Sequence, residues 1–101
     1  MLGANEMARR MKVLSVGARV RIVQLLKDRA LCVGALADRL GVSSAAVSQH
    51  LRILRDAGLV EAERRGNFMH YRLNEERLAE WRATAEELLA PGHEQKTCLE
   101  L

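Results

Sequence analysis

Ser44, Ala45, Ser48, Gln49 and Arg52 are the residues of this chain whose types and spacing could do chemistry on a partner. At helical periodicity they share one side, and all but Ala45 can donate or accept hydrogen bonds there. Small polar groups on a helix that fits the DNA major groove reach base edges. Gln49 suits adenine, Arg52 suits guanine or a phosphate, and Ser44 and Ser48 suit either. The other chemically capable groups are Cys32 and Cys98, the only two cysteines. If Cys98 approaches Cys32, in the same chain or a second copy, the pair can act as a redox switch or as a two-thiolate site for a soft metal. Otherwise they are two unrelated reduced thiols.

The polar face requires a helix anchored on its opposite side. Val47, Leu51, Leu54 and Gly58 follow the rhythm of a buried stripe, with Ala46, His50, Ile53 and Ala57 beside it. Arg55 and Asp56 extend the polar side. Ser43 or Ser44 can cap the start, and Gly58 suits a left-handed stop. His50 falls toward the buried side, where packing against the following hairpin is expected rather than base contact. An ordinary amphipathic surface helix has the same pattern, so the neighbours decide. Upstream, Leu36, Ala37 and Leu40 form a short apolar stripe, Gly41 breaks it, and Val42 is expected inside the turn. Two short helices around such a turn are a helix-turn-helix. Downstream, residues 59–65 and 68–73 flank Gly66-Asn67, the outline of a two-stranded hairpin. Arg64, Arg65 and Asn67 make its tip basic and polar, suited to holding a phosphate backbone. The whole reads as a mainly α winged helix-turn-helix with a small β-hairpin.

The run Ser43, Ser48, His50, Leu51, Leu54, Gly58, Leu59, Val60, within Val33 to Leu73, resembles the ArsR/SmtB repressors, small winged-helix regulators of bacteria. The resemblance covers roughly residues 6 to 90. It implies about five helices plus a two-stranded wing, in the order α-α-α-α-β-β-α. It also implies a homodimer on a pseudo-palindromic, double-stranded operator, released by an inducer. In that family the first and last helices form the dimer interface, which assigns that role to Met7, Met11, Leu14, Leu78, Trp81, Ala85 and Leu88. Members often sense metals. Leu31-Cys32-Val33-Gly34 is similar to the Leu-Cys-Val-Cys entry of arsenic-responsive members, with Gly34 where they carry a second cysteine. As(III) prefers three thiolates, and this half-motif supplies one. The paired Asp/His and His/Glu ligands of zinc-sensing relatives are missing, and His93 stands alone beyond Pro91. The expectation for cofactors is therefore none, or a soft metal or metalloid such as As(III) or Cd(II), or a cysteine switch.

The chain's 101 residues suit one domain, read as residues 1–92, with residues 93–101 as a flexible C-terminal tail. Asn74 caps the last helix and Pro91-Gly92 ends it. Apolar residues make up 49%, but Phe68, Tyr71 and Trp81 are the only aromatics, so the core is aliphatic and gains from dimerisation. Charge is uneven: thirteen basic against six acidic side chains over residues 1–73, and three against seven over residues 74–101. A basic head with an acidic back suits nucleic acid, where counterion release drives affinity. No apolar run is long enough to span a membrane and no secretory signal is visible, so a cytoplasmic location is expected. No phosphate-cradling glycine loop or paired-carboxylate site points to an enzyme. The competing reading is a winged-helix module that docks on a protein, or a constitutive regulator without sensing. Ser, Gln and Arg on the exposed face disfavour protein docking, which usually presents aromatic or aliphatic anchors.

Overall fold

A computed structural model describes residues 2–92 and 98. The elements run α1 (Ala4–Val13), α2 (Gly17–Leu26), β1 (Leu31–Cys32), α3 (Val33–Leu40), α4 (Ser44–Asp56), β2 (Val60–Arg65), β3 (Phe68–Leu73) and α5 (Glu75–Leu89). This is the expected winged helix-turn-helix with one addition. The two-residue strand β1 pairs with β3, giving a three-stranded antiparallel sheet ordered β1-β3-β2. Two residues are too few to show an alternating pattern. The strand exists because β3 offers a free edge, against which Leu31 pairs with Tyr71 and Cys32 with His70.

Side chains and chain reversals set the helix ends. The Ser43 Oγ accepts from the Ala46 N–H at 3.1 Å, and the Asn74 Oδ1 accepts from the Arg77 N–H at 3.0 Å. Each satisfies one of the donors that a helix start leaves unpaired. The Cys32 sulfur does the same for α3, accepting from the Ala35 N–H at 3.4 Å. Gly58 closes α4 with φ at +81°, a backbone conformation that favours glycine, and the Arg77 guanidinium packs over it, 3.0 Å from where a Cβ would sit. The hairpin turns through Gly66 and Asn67, with positive φ at Gly66 alone among the two. That is the pattern of a type II′ turn, whose twist matches the strands it joins.

The core joins all the central elements. Ile22 and Leu26 from α2, Leu36 and Leu40 from α3, and Val47, Leu51 and Leu54 from α4 meet Leu59, Val60, Leu73 and Trp81. Seven of these side chains are essentially fully buried, among them Val47, Leu51 and Leu54. At about 25 cal/mol per Å² of apolar surface, each stabilises the fold by roughly 1.5–3 kcal/mol. One expectation needs correction. Val42 is not inside the turn: it is 41% exposed, and its N–H donates to the Ala37 carbonyl at 3.2 Å. Ile53, beside the buried stripe, is 36% exposed and lines an open cleft with Arg9, Lys12, Val13 and Arg19. Among the described residues, no helix is long and apolar enough to cross a membrane.

Candidate nucleic-acid interface

The α4 helix presents the face expected of it. Val47, Leu51 and Leu54 bolt it to α2, α3 and the sheet, while Ser44, Ala45, Ser48, Gln49, Arg52 and Arg55 are all exposed. With Ser43 spent as the cap, Ser44 is left free on the outer face. A helix held by three fully buried side chains is rigid. The polar groups are thus displayed in a fixed order, which groove recognition requires. His50 is half-buried, as expected, but its hydrogen-bond partner comes from α2 and not from the hairpin. The Arg19 Nε donates to the His50 Nδ1 at 3.4 Å, and the same guanidinium donates to the Val13 carbonyl at 2.9 Å.

The hairpin has two unlike faces, because successive strand residues point to opposite sides and directly paired residues share a side. Val60 pairs with Leu73, Ala62 with Tyr71 and Arg64 with Met69. Val60 and Leu73 are buried in the core, so this row is the inner face, turned toward α4. Glu61, Glu63, Arg65, Phe68, His70 and Arg72 form the outer face. There the charges are already matched. Arg65 lies 3.3 Å from Glu63, and Arg72 lies 2.9 Å from Glu61 and 3.4 Å from Glu63. Exposed pairs of this kind are worth only about 0–1 kcal/mol. They nevertheless leave Arg65 with less charge to offer a phosphate than Arg64, which forms no ion pair among the described residues. Asn67 is exposed at the turn, and Phe68 beside it is 63% exposed.

The expected sensor residues are separate in character. Cys32 is half-buried at the joint of β1 and α3, whereas Cys98 is exposed. Across the ladder from Cys32 stands His70, whose Nδ1 is buried without a hydrogen-bond partner among the described residues. Among the described residues no three His, Cys, Asp or Glu side chains converge as metal ligands. A three-thiolate arsenic site does not fit a chain with two cysteines, and α5 holds no histidine or aspartate for a zinc pair. His93 and the rest of the tail apart from Cys98 lie outside the described residues.

The residues assigned to the dimer interface divide as well. Met7, Met11, Leu14, Leu78 and Ala85 are half-buried, and Leu88 is 50% exposed. Trp81 belongs to the core of its own chain, with the Arg10 guanidinium 5.4 Å from its ring centroid. Arg10 also donates to the Thr84 Oγ1 at 3.1 Å, so the first and last helices are stitched together within one chain. Leu89, further along α5, is 78% exposed.

The sequence model described as Bacterial regulatory protein, arsR family, matches residues 17–62. An HTH-type transcriptional regulator of Mycobacterium tuberculosis, itself uncharacterised, is 42% identical over 80 residues, spanning 78% of this chain and 70% of that protein. Among solved structures, a possible transcriptional regulator for arsenical resistance is 39% identical with a TM-score of 0.74, covering 79% of this chain and 83% of that one. The homodimeric winged helix-turn-helix DNA-binding domain of a possible ArsR-family regulator from Mycobacterium bovis is 31% identical with a TM-score of 0.68. That match covers 91% of this chain and 89% of the other.

Proposed function

The chain belongs to the arsR family of bacterial regulatory proteins, and from that premise we propose that it is a sequence-specific DNA-binding repressor acting as a homodimer. The observation that carries the reading is α4: three apolar anchors fully buried on one side, and Ser44, Ala45, Ser48, Gln49 and Arg52 open on the other. In the dimer two such helices enter successive major grooves, about 34 Å apart on one side of the duplex, so the operator is a pseudo-palindrome. Gln49 and Arg52 read base edges, and Arg64 and Asn67 hold the flanking backbone. Arg65 contributes after exchanging Glu63 for a phosphate. The homodimeric state of the Mycobacterium bovis domain supports the assembly, as do Leu88 and Leu89, left uncovered on α5.

The inducer acts through cysteine. The sulfur of Cys32 caps α3, the first helix of the helix-turn-helix, so any bond made to that sulfur disturbs the element on which α4 rests. A disulfide needs only the two thiols that the chain offers, Cys32 and Cys98. Its formation removes two electrons and two protons, taken up by a disulfide or peroxide oxidant.

The test is binding to a duplex that the wild-type protein selects from a random pool, measured with reduced, oxidised, As(III)-treated and Cd(II)-treated protein. Reduced wild type binds the selected duplex, oxidation weakens that binding, and Cys32→Ser and Cys98→Ser each abolish the response. Equal responses in wild type and both variants would end the cysteine account. A response to Cd(II) but not to oxidant would replace the disulfide by a two-thiolate metal site. If no duplex is enriched, the DNA-binding reading itself is wrong.

A further inference from the structure

Between α4 and the inner face of the hairpin lies a cleft of about 310 Å³, lined by Ser48, Leu51, Arg52, Arg55, Asp56 and Tyr71. Arg52 and Arg55 stand one helical turn apart and repel each other. Neither forms an ion pair among the described residues, whereas Arg65 and Arg72 on the outer face of the hairpin are both matched by glutamates. The difference follows from the two-residue period of the strands. Glu61 and Glu63 alternate to the outside, so the inner face keeps Ala62, Arg64, Met69 and Tyr71 and holds no carboxylate. The cleft therefore has two guanidinium groups without an ion-pair partner among the described residues, a serine hydroxyl and a phenol hydroxyl, opening beside the exposed face of α4. Its one acidic member, Asp56, also borders a second cavity with Arg9, Arg10 and Arg77.

We propose that this cleft is a phosphate-binding notch for the DNA backbone. Arg52 and Arg55 supply the charge, Tyr71 and Ser48 donate hydrogen bonds, and Arg64 continues the same row toward the tip. The proposal rests on the reading of α4 as the DNA-binding helix. It adds Arg55 and Tyr71 to the residues that touch DNA, and Arg52 lends its charge to the notch in addition to its base contact. A guanidinium matches a phosphate with parallel N–H donors, and contacts of this sort position a protein without reading sequence. A phosphate clamped between helix and hairpin fixes how far α4 enters the groove. Asp56 opposes the anion and so limits the affinity.

The experiment is a salt titration of binding, on the duplex selected by wild type and on an unrelated duplex of equal length. Each charged phosphate contact contributes about 0.9 to the slope of log affinity against log salt. Arg55→Ala removes one such contact from each protomer, so it is expected to flatten the dimer's slope by about 1.8 and to weaken both duplexes by the same factor. Arg55→Lys keeps the slope. Tyr71→Phe weakens both duplexes equally at unchanged slope, and Asp56→Asn tightens both. Arg55 is exposed, so its variants are expected to keep the wild-type melting temperature. An unchanged slope in Arg55→Ala, or a loss confined to the selected duplex, overturns the notch while wild-type binding leaves the DNA-binding reading intact. Failure of wild type to bind either duplex removes both.

Discussion

Helices α4 and α5 are both amphipathic, yet the chain completes only one of them. Every apolar anchor of α4 is buried within the protomer: Val47, Leu51 and Leu54 have no surface left to give. In α5, Trp81 and Thr84 are buried, while Leu88 and Leu89 stand open. The reading helix is thus a finished product of one chain's folding, and its rigidity does not wait for a partner. On the proposed homodimer reading, the last helix is a half-interface whose C-terminal turns a second copy covers. Stability and assembly would then be written on different helices and be separable by mutation.

The sharpest separation pairs a core change with an interface change. Leu51→Ala leaves a cavity beneath α4 and is expected to cost about 2–5 kcal/mol, seen as a lower melting temperature at every protein concentration. Replacing Leu88 and Leu89 together by glutamate leaves the protomer core intact. The expected result is loss of the dimer in sedimentation, with a melting temperature that no longer depends on concentration. If that variant unfolds the protomer outright, α5 is core after all and the contrast with α4 fails. Smallest are the caps. Ser43→Ala and Asn74→Ala each remove one bond from a helix start, costing about 1 kcal/mol apiece in chemical denaturation. The Ser43 change belongs to the reading helix and should also weaken DNA binding, whereas the Asn74 change should not.

Much of this was legible in the residues themselves. Periodicity placed α4 and α5, Gly41 and Gly58 placed the turns on either side of α4, and the Gly66-Asn67 pair placed the hairpin within a residue of its strands. Other parts had no local signal. Helix α2 carries Val20, Ile22, Val23, Leu25 and Leu26 without a clean stripe: Ile22 and Leu26 enter the core, Val23 and Leu25 pack against it, and Val20 is exposed. Strand β1 is defined only by its partner. Cys32 was read for its reactivity, while its sulfur also serves as a helix cap. The difference between Arg64, unpaired among the described residues, and Arg65 is one that only register reveals. Glu63 and Arg65 are two apart on one strand face, and Arg72 joins them from across the ladder. His50 found its partner on α2 because Arg19 lies within reach, and nothing in the order of residues announces a contact across 31 positions.

The claim on which the account depends is that α4 displays a sequence-reading face on a framework that is already rigid. It is tested most directly by comparing wild type with the variant carrying Gln49→Ala and Arg52→Ala, on the duplex that wild type selects and on an unrelated one. A good bidentate base contact is worth about 1–3 kcal/mol of discrimination. The account predicts that the double variant keeps the wild-type melting temperature and loses most of its preference for the selected duplex. Retention of that preference at full strength would contradict it.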